Sequence, residues 1–361
     1  MKYLDEFRDQ KLAEPLLEEL QHAVTKPFRV MEVCGTHTMS IFRSGMRSLL
    51  PEGLDLVSGP GCPVCVTSAS HIDAIIEMAQ MENTRIALFG DLFRVPGSKN
   101  SSLANASSQG AHIDIVYSAM DSLDLARKYP NDLIIFLGVG FETTTPGIAA
   151  TIMAAHNQQI DNFAVFSTHK VMPPPLIALL DDPDLQIDGL LCPGHVSAII
   201  GAGAYQPLVD KYNLSCVVGG FEPADILQAL VLLARQIAKG EPKVENAYTR
   251  VVSWEGNARA TKMVEEIFEP ADMEWRGLGM IPASGLAIRD KYAHFDVTKR
   301  LDIKLEPAEE PKGCRCGEIL KGKEQPTACP LFGKRCTPAN PIGPCMVSSE
   351  GTCAAFYKYG D

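Results

Sequence analysis

The chain has 361 residues, of which 46% are hydrophobic and 21% charged, and a formal net charge of −11. That length and apolar content support two or three cored domains and exclude a disordered, collagen-like or coiled-coil chain. The acidic balance argues against a general nucleic-acid binder, because a phosphate backbone calls for a basic face.

Residues 1–27 set Leu12, Leu16, Leu17 and Leu20 at helical spacing among charges, which predicts an N-terminal helical segment. The start, Met1-Lys2-Tyr3-Leu4-Asp5-Glu6, has no apolar h-region, and no apolar run approaches the ~20 residues of a membrane span. A cytoplasmic protein with no membrane or nucleic-acid partner is expected, its thiols kept reduced. From residue 28 short apolar runs alternate with amphipathic stretches. The runs are Phe28–Val33, Leu54–Val57, Arg85–Phe89, Ile113–Val116, Leu133–Leu137, Phe163–Phe166, Gly189–Leu191 and Cys216–Val218. Helical periodicity marks Ser70–Met81, Ser118–Lys128, Pro146–His156 and Ala224–Ala238. Near-continuous apolar runs fit strands buried on both faces of a parallel sheet, so the expected class is α/β. One large sheet is conceivable; the preferred reading is two Rossmann-like domains, residues 28–125 and 126–240, with the boundary near 119–132. Residues 241–310 read as mixed, with Trp254, Trp275 and a Gly-rich turn, Arg276-Gly277-Leu278-Gly279. Beyond residue 305, Pro, Gly, Lys and Cys dominate, and such a segment calls for a metal to staple it.

The residues with chemical potential follow the strands, where open α/β sheets bind ligands. Cys62-Pro-Val-Cys65, after Gly59-Pro-Gly61, allows a disulfide, a dithiol or two ligands to one metal. Cys34 and His37 follow the first run, and together the two motifs set three thiols and an imidazole on one rim, suited to iron or zinc. Glu142 with Thr143–Thr145 lacks the lysine of a P-loop, and reads as a small-ligand or proton-relay site or as a helix cap. His195, in Pro193-Gly-His-Val-Ser197, is a proton donor or a structural histidine, and Cys192 and Cys216 read as core.

Six of the eleven cysteines, Cys314, Cys316, Cys329, Cys336, Cys345 and Cys353, fall in 40 residues without a histidine. Four thiolates without imidazole fit a [4Fe–4S] cluster or an all-cysteine zinc site, and the long spacings disfavour a zinc ribbon. The expected architecture is therefore α/β, two Rossmann-like domains plus a smaller cysteine-rich domain within residues 241–361, its metal left open between iron–sulfur and zinc.

These blocks resemble the HypD family of [NiFe]-hydrogenase maturation factors. The resemblance rests on Cys34-Gly-Thr-His37, Gly59-Pro-Gly-Cys62-Pro-Val-Cys65, Gly140-Phe-Glu-Thr-Thr144, Pro193-Gly-His-Val-Ser197, Gly220-Phe-Glu-Pro223 and the late block through Cys329, Cys336 and Met346…Cys353. It implies a scaffold with redox activity that, with HypC, holds iron and assembles Fe(CN)2CO for the hydrogenase large subunit. Cyanide would come from HypE, working with HypF. The family's essential trio falls on Cys34, Cys62 and Cys65, and the cluster pattern, with gaps of 12, 6 and 16 residues, on Cys316, Cys329, Cys336 and Cys353. Cys314 could replace Cys316, and Cys345 is an extra. A second histidine of the first block is Met39 here, so His37 alone carries over; His37, Glu142 and His195 are the candidates for proton transfer. The alternatives are an iron–sulfur-dependent thiol–disulfide oxidoreductase and an interaction scaffold held by zinc.

Overall fold

A computed structural model describes residues 10–360. Residues 1–9 of the expected helical segment lie outside the described residues; the helix spans Gln10–Ala23. Strands β1 (Phe28–Glu32), β2 (Leu54–Ser58), β3 (Thr84–Leu88), β4 (Ile113–Ile115), β5 (Leu133–Gly138), β6 (Phe163–Ser167), β7 (Gly189–Pro193), β8 (Ser215–Gly219) and β9 (Val244–Asn246) form two parallel sheets. One is five-stranded, in the order β2-β1-β7-β8-β9, and the other four-stranded, in the order β4-β3-β5-β6. Helices connect successive strands, which is the α/β class expected. The apolar runs land where both faces are covered: β7 and β8 are buried at every residue and β5 at all but its first. At the edge, β4 leaves Ile115 half exposed.

The sequential split at residue 125 does not separate the sheets. It falls between β4 and β5, which both pair with β3. The chain lays down β1 and β2, builds the whole four-stranded sheet, then returns to set β7 against β1, with Val30 opposite Gly189 and Glu32 opposite Leu191. An apolar run reports burial on both faces but not which neighbour it pairs with, so sequence order stood in for spatial order.

The mixed region also resolves. Strands β10 (Phe268–Trp275) and β11 (Gly279–Ile288) form an antiparallel hairpin with a register shift between Ala271 and Met273. Its turn is the Gly-rich run, and Gly277 and Gly279 adopt φ of 77° and 78°, a left-handed conformation that suits glycine. The hairpin closes over the end of β6: Val171 N–H donates to Ser284 O at 3.0 Å, and Ser167 Oγ donates to Leu286 O at 2.7 Å. The cysteine-rich segment is mostly irregular, with short helices Cys316–Leu320 and Thr352–Tyr359. The second packs on the helix Gly35–Arg43, where the Phe42 and Phe356 rings stand 4.6 Å apart. Among the described residues no helix is long and apolar enough to cross a membrane.

Candidate functional site

In the five-stranded sheet, β1 has β2 on one side and β7 on the other, and the chain leaves the sheet between building the two. This is a topological switch point, where the loops leaving the strand ends diverge and open a crevice. Cys34 and His37 follow β1, the Cys62 loop follows β2, His195 follows β7 and Phe221 follows β8.

Cys34 is the N-cap of the helix Gly35–Arg43, and its N–H donates to Glu32 Oε2 at 3.1 Å. Glu32 also accepts from the Thr38 hydroxyl, so a buried carboxyl ties down both ends of the first turn. Burial pushes Glu32 up to about 8. Burial, and then the Glu350 carboxylate, push the Cys34 thiol up to about 12. A thiolate here therefore needs a cation to stabilise it.

Cys62 and Cys65 form a disulfide across the four-residue helix Pro63–Val66, with Cα atoms 5.2 Å apart. In this oxidised state neither sulfur is a thiolate donor, and Cys34 alone of the trio keeps a free thiol. The two loops touch through backbone. Gly35 N–H donates to Gly61 O at 3.0 Å, and a Cβ on Gly61 would stand 2.2 Å from the Cys34 nitrogen and 2.4 Å from its Cα. Only glycine fits there.

His37 is fully buried, and its Nε2 lies 2.8 Å from Gly220 O. Burial holds it down at about 4, so the ring is neutral; Nε2–H donates to the carbonyl, which leaves the Nδ1 lone pair free. Among the described residues Nδ1 has no hydrogen-bond partner. Its ring centroid is 4.9 Å from Phe221, whose ring stacks on His195 at 3.9 Å. His195, exposed, lines a cleft of about 750 Å³ with Thr36, Phe221, Tyr248, Asp225 and Arg250. Arg250 holds Asp225 through paired bonds of 2.7 and 2.5 Å.

Two residues at this rim had no role in the sequence reading. Glu32 could have been found as a carboxylate inside an otherwise buried strand. Glu350 lies within the late block, and its Oε1 accepts from Thr36 Oγ1 at 2.6 Å. Glu350 also packs on Gly35, where a Cβ would come within 2.5 Å of the Glu350 Cβ and 2.7 Å of its carbonyl oxygen. The cysteine-rich segment thus docks directly on the Cys34 loop.

In that segment Cys314, Cys316, Cys329, Cys336 and Cys353 line one small cavity, closed by Ile319, Leu331, Phe332 and Met346. Cys345 is fully buried beside it. Hydrogen bonds with Cys316 push both Cys314 and Cys345 up, and burial adds to each. The sulfurs pack thiol against thiol, and among the described residues no three His, Cys, Asp or Glu side chains are arranged around one ion. The donor set itself, soft sulfurs in an apolar shell, suits an iron–sulfur cluster. Both Cys314 and Cys316 face the cavity.

Glu142 stands apart, in a loop of the other sheet. Its Oε1 accepts from Met172 N–H at 2.8 Å, its buried Oε2 has no hydrogen-bond partner among the described residues, and burial pushes it up to about 7. It does not line the His195 cleft. Cys192 and Cys216 are fully buried in β7 and β8.

A family model described as "HypD: Hydrogenase formation hypA family" matches residues 11–360. The chain is 43% identical over 370 residues to the hydrogenase maturation factor HypD of Cupriavidus necator, covering 100% of this chain and 97% of that one. It is 44% identical over 372 residues to HypD of Rhodobacter capsulatus, covering 100% and 98%. With Azotobacter vinelandii HypD the identity is 43% over 368 residues, covering 100% and 97%. A match spanning both sheets, the Cys34 rim and the cysteine-rich segment places this chain in the HypD family of hydrogenase maturation factors.

Proposed function

We propose that the protein is the scaffold on which the iron of [NiFe]-hydrogenase receives its cyanide and carbonyl ligands, working with HypC and with cyanide delivered by HypE and HypF. The observation that carries this reading is the backbone contact between the Cys34 loop and the Gly61–Cys65 loop at the switch point, beside an open cleft. It puts one free thiol next to one two-electron couple.

Cys34 holds the iron substrate, whose charge offsets the burial that otherwise keeps this thiol protonated. Its remaining ligands come from the partner proteins. Release of cyanide from a partner's thiocyanate breaks an S–C bond, takes up two electrons and two protons, and leaves a thiol and hydrogen cyanide. Oxidation of the Cys62/Cys65 dithiol to the disulfide supplies both the electrons and the protons. His37, neutral and anchored to Gly220 O, and His195, at the cleft mouth, position ligands and move protons there. Cys316, Cys329, Cys336 and Cys353 would hold a [4Fe–4S] cluster, which when bound supplies electrons one at a time. Glu350 fixes that segment against the Cys34 loop through Thr36.

C34A is expected to abolish the iron–cyanide infrared bands of the anaerobically purified complex while leaving its thiolate-to-iron absorbance. Bands at full strength in C34A overturn the assignment. The disulfide also favours a second reading, a thiol–disulfide oxidoreductase; turnover on disulfide substrates without any partner protein would support it instead.

A further inference from the structure

A second cleft, of about 400 Å³, opens beside the hairpin and shares no lining residue with the His195 cleft. Phe166, Leu286 and Ile288 are buried along its floor, and Met280 and Leu305 stand exposed at its rim. Asp272, Glu274, Asp296 and Glu306 line it as well, and no lysine or arginine does. Asp272 sits at the register shift of β10, where a bulge re-aims a side chain, and its Oδ1 accepts from Ala283 N–H at 2.9 Å. Asp296 is committed to capping, accepting from Thr298 N–H at 3.0 Å and Thr298 Oγ1 at 2.6 Å. Glu274 spends one oxygen on Ser70, and Glu306 is exposed. Carboxylates alone attract any cation, but the buried end of this cleft adds a direction.

Ser68 Oγ lies 2.5 Å from His71 Nδ1 and 2.7 Å from Ser70 Oγ, and Ser70 Oγ donates to Glu274 Oε2 at 2.5 Å. A carboxylate only accepts, so Ser70 gives its proton to Glu274, Ser68 gives its proton to Ser70, and His71 donates to Ser68 through Nδ1–H. The imidazole is thereby held in the tautomer whose lone pair is on Nε2. His71 is 3% exposed and lines the cleft, and among the described residues its Nε2 has no hydrogen-bond partner. Burial, and then the charge of Lys170, hold the ring down at about 3, so it is neutral and Nε2 accepts. Lys170 itself is fully buried, does not line the cleft, and bonds to none of these groups through Nζ.

We propose that this cleft binds an alkylammonium group, its N–H donated to His71 Nε2, its charge set among Asp272, Glu274 and Glu306, and its alkyl arm laid along Phe166, Leu286 and Ile288. An ammonium nitrogen carries three donors and no acceptor, which matches an accepting imidazole ringed by carboxylates. An anion meets only negative charge there, and a bare inorganic cation leaves the apolar floor uncovered. A free amine and the lysine side chain of a partner protein share this chemistry. The site is separate from the Cys34 rim and does not rest on the iron reading.

The test titrates the full-length protein with hexylammonium chloride by calorimetry and follows isotope-labelled histidine nitrogens by NMR. Saturable binding with a Kd of about 1 mM or tighter is expected, with the His71 Nε2 resonance moving. Hexanol, which lacks the charge, and ammonium chloride, which lacks the arm, should each bind at least about tenfold more weakly. E274Q, which keeps the shape and removes the charge, should weaken hexylammonium about tenfold. S70A should do the same by releasing the tautomer, and S70T, which restores the hydroxyl, should recover it. Hexanol binding equally well reduces the site to an apolar groove, and ammonium binding equally well reduces it to an acidic patch; either overturns the proposal, as does binding that leaves His71 unmoved. The peptide acetyl-Leu-Lys-Leu-amide binding more tightly than hexylammonium assigns the group to a partner's lysine, and the reverse order to a free amine; both support the site.

Discussion

In the five-stranded sheet the loops after β1, β7 and β8 border an open cleft; in the four-stranded sheet the loops after β5 and β6 lie under the β10–β11 hairpin. Both sheets are parallel and both present unusual residues at their carboxyl ends. His195 is exposed, while Lys170 and Glu142 are buried. A strand end is open to a ligand only where nothing covers it, and under a roof the same position buries its ionisable side chains. The difference comes from connectivity. The five-stranded sheet has a switch point at β1, and the hairpin finds its partner at Ser167–Val171 of the other sheet.

The comparison breaks most visibly at glycine. G61A puts a Cβ 2.2 Å from the Cys34 nitrogen, backbone that cannot yield without moving the Cys34 loop proposed to hold iron. Iron retention, read by metal analysis, should be lost. G138A, on the roofed sheet, meets the His169 ring at 2.6 Å instead. It should cost roughly 1–3 kcal/mol of stability by overpacking, read by urea unfolding, with iron retention intact. If both variants lose iron equally, the two rims are not functionally distinct.

A smaller effect separates the sheets by pH. Lys170 is held at about 7 against an ordinary 10.5, so between these values the unfolded chain binds more protons than the folded one. Stability from this group is full above 10.5 and falls as pH drops to 7, by at most about 1.4 kcal/mol per pH unit. K170M, apolar and close in size, should flatten this slope in urea unfolding across the same window. Smaller again is H37Q on the open sheet. His37 is held at about 4 against 6.5, so its contribution is full above 6.5 and lost as pH falls through 4. H37Q should make the acid limb of the unfolding curve shallower and leave the alkaline limb unchanged.

The strongest elements were legible because one physical cause produced them. Leu133–Leu137 and the helix near Ala224–Ala238 read correctly because two-sided burial and a buried stripe each leave a period in the sequence. The hairpin was not legible. Pro270 and the bulge at Ala271–Met273 break the alternation of β10, and a proline in a strand normally argues against one. Strand β9, Val-Glu-Asn, is too short and polar to carry a pattern. At the candidate site, Cys34, His37, Cys62, Cys65 and His195 stand out in the sequence because their types are chemically unusual. Glu32 and Glu350 were passed over because a glutamate is ordinary until burial, or contact with a cysteine loop 314 residues away, makes it otherwise.

The sequence by itself determined the α/β class, the strand-end position of the reactive residues and the gathering of six cysteines near the C-terminus, because hydrophobic period and residue chemistry are local. Tertiary structure alone decided that β7 returns to lie against β1, that Glu142 sits apart from the cleft, and that Ser68, Ser70, His71 and Glu274 join into one chain. Those outcomes depend on which buried surfaces meet, and many pairings of equally apolar strands satisfy the same local pattern.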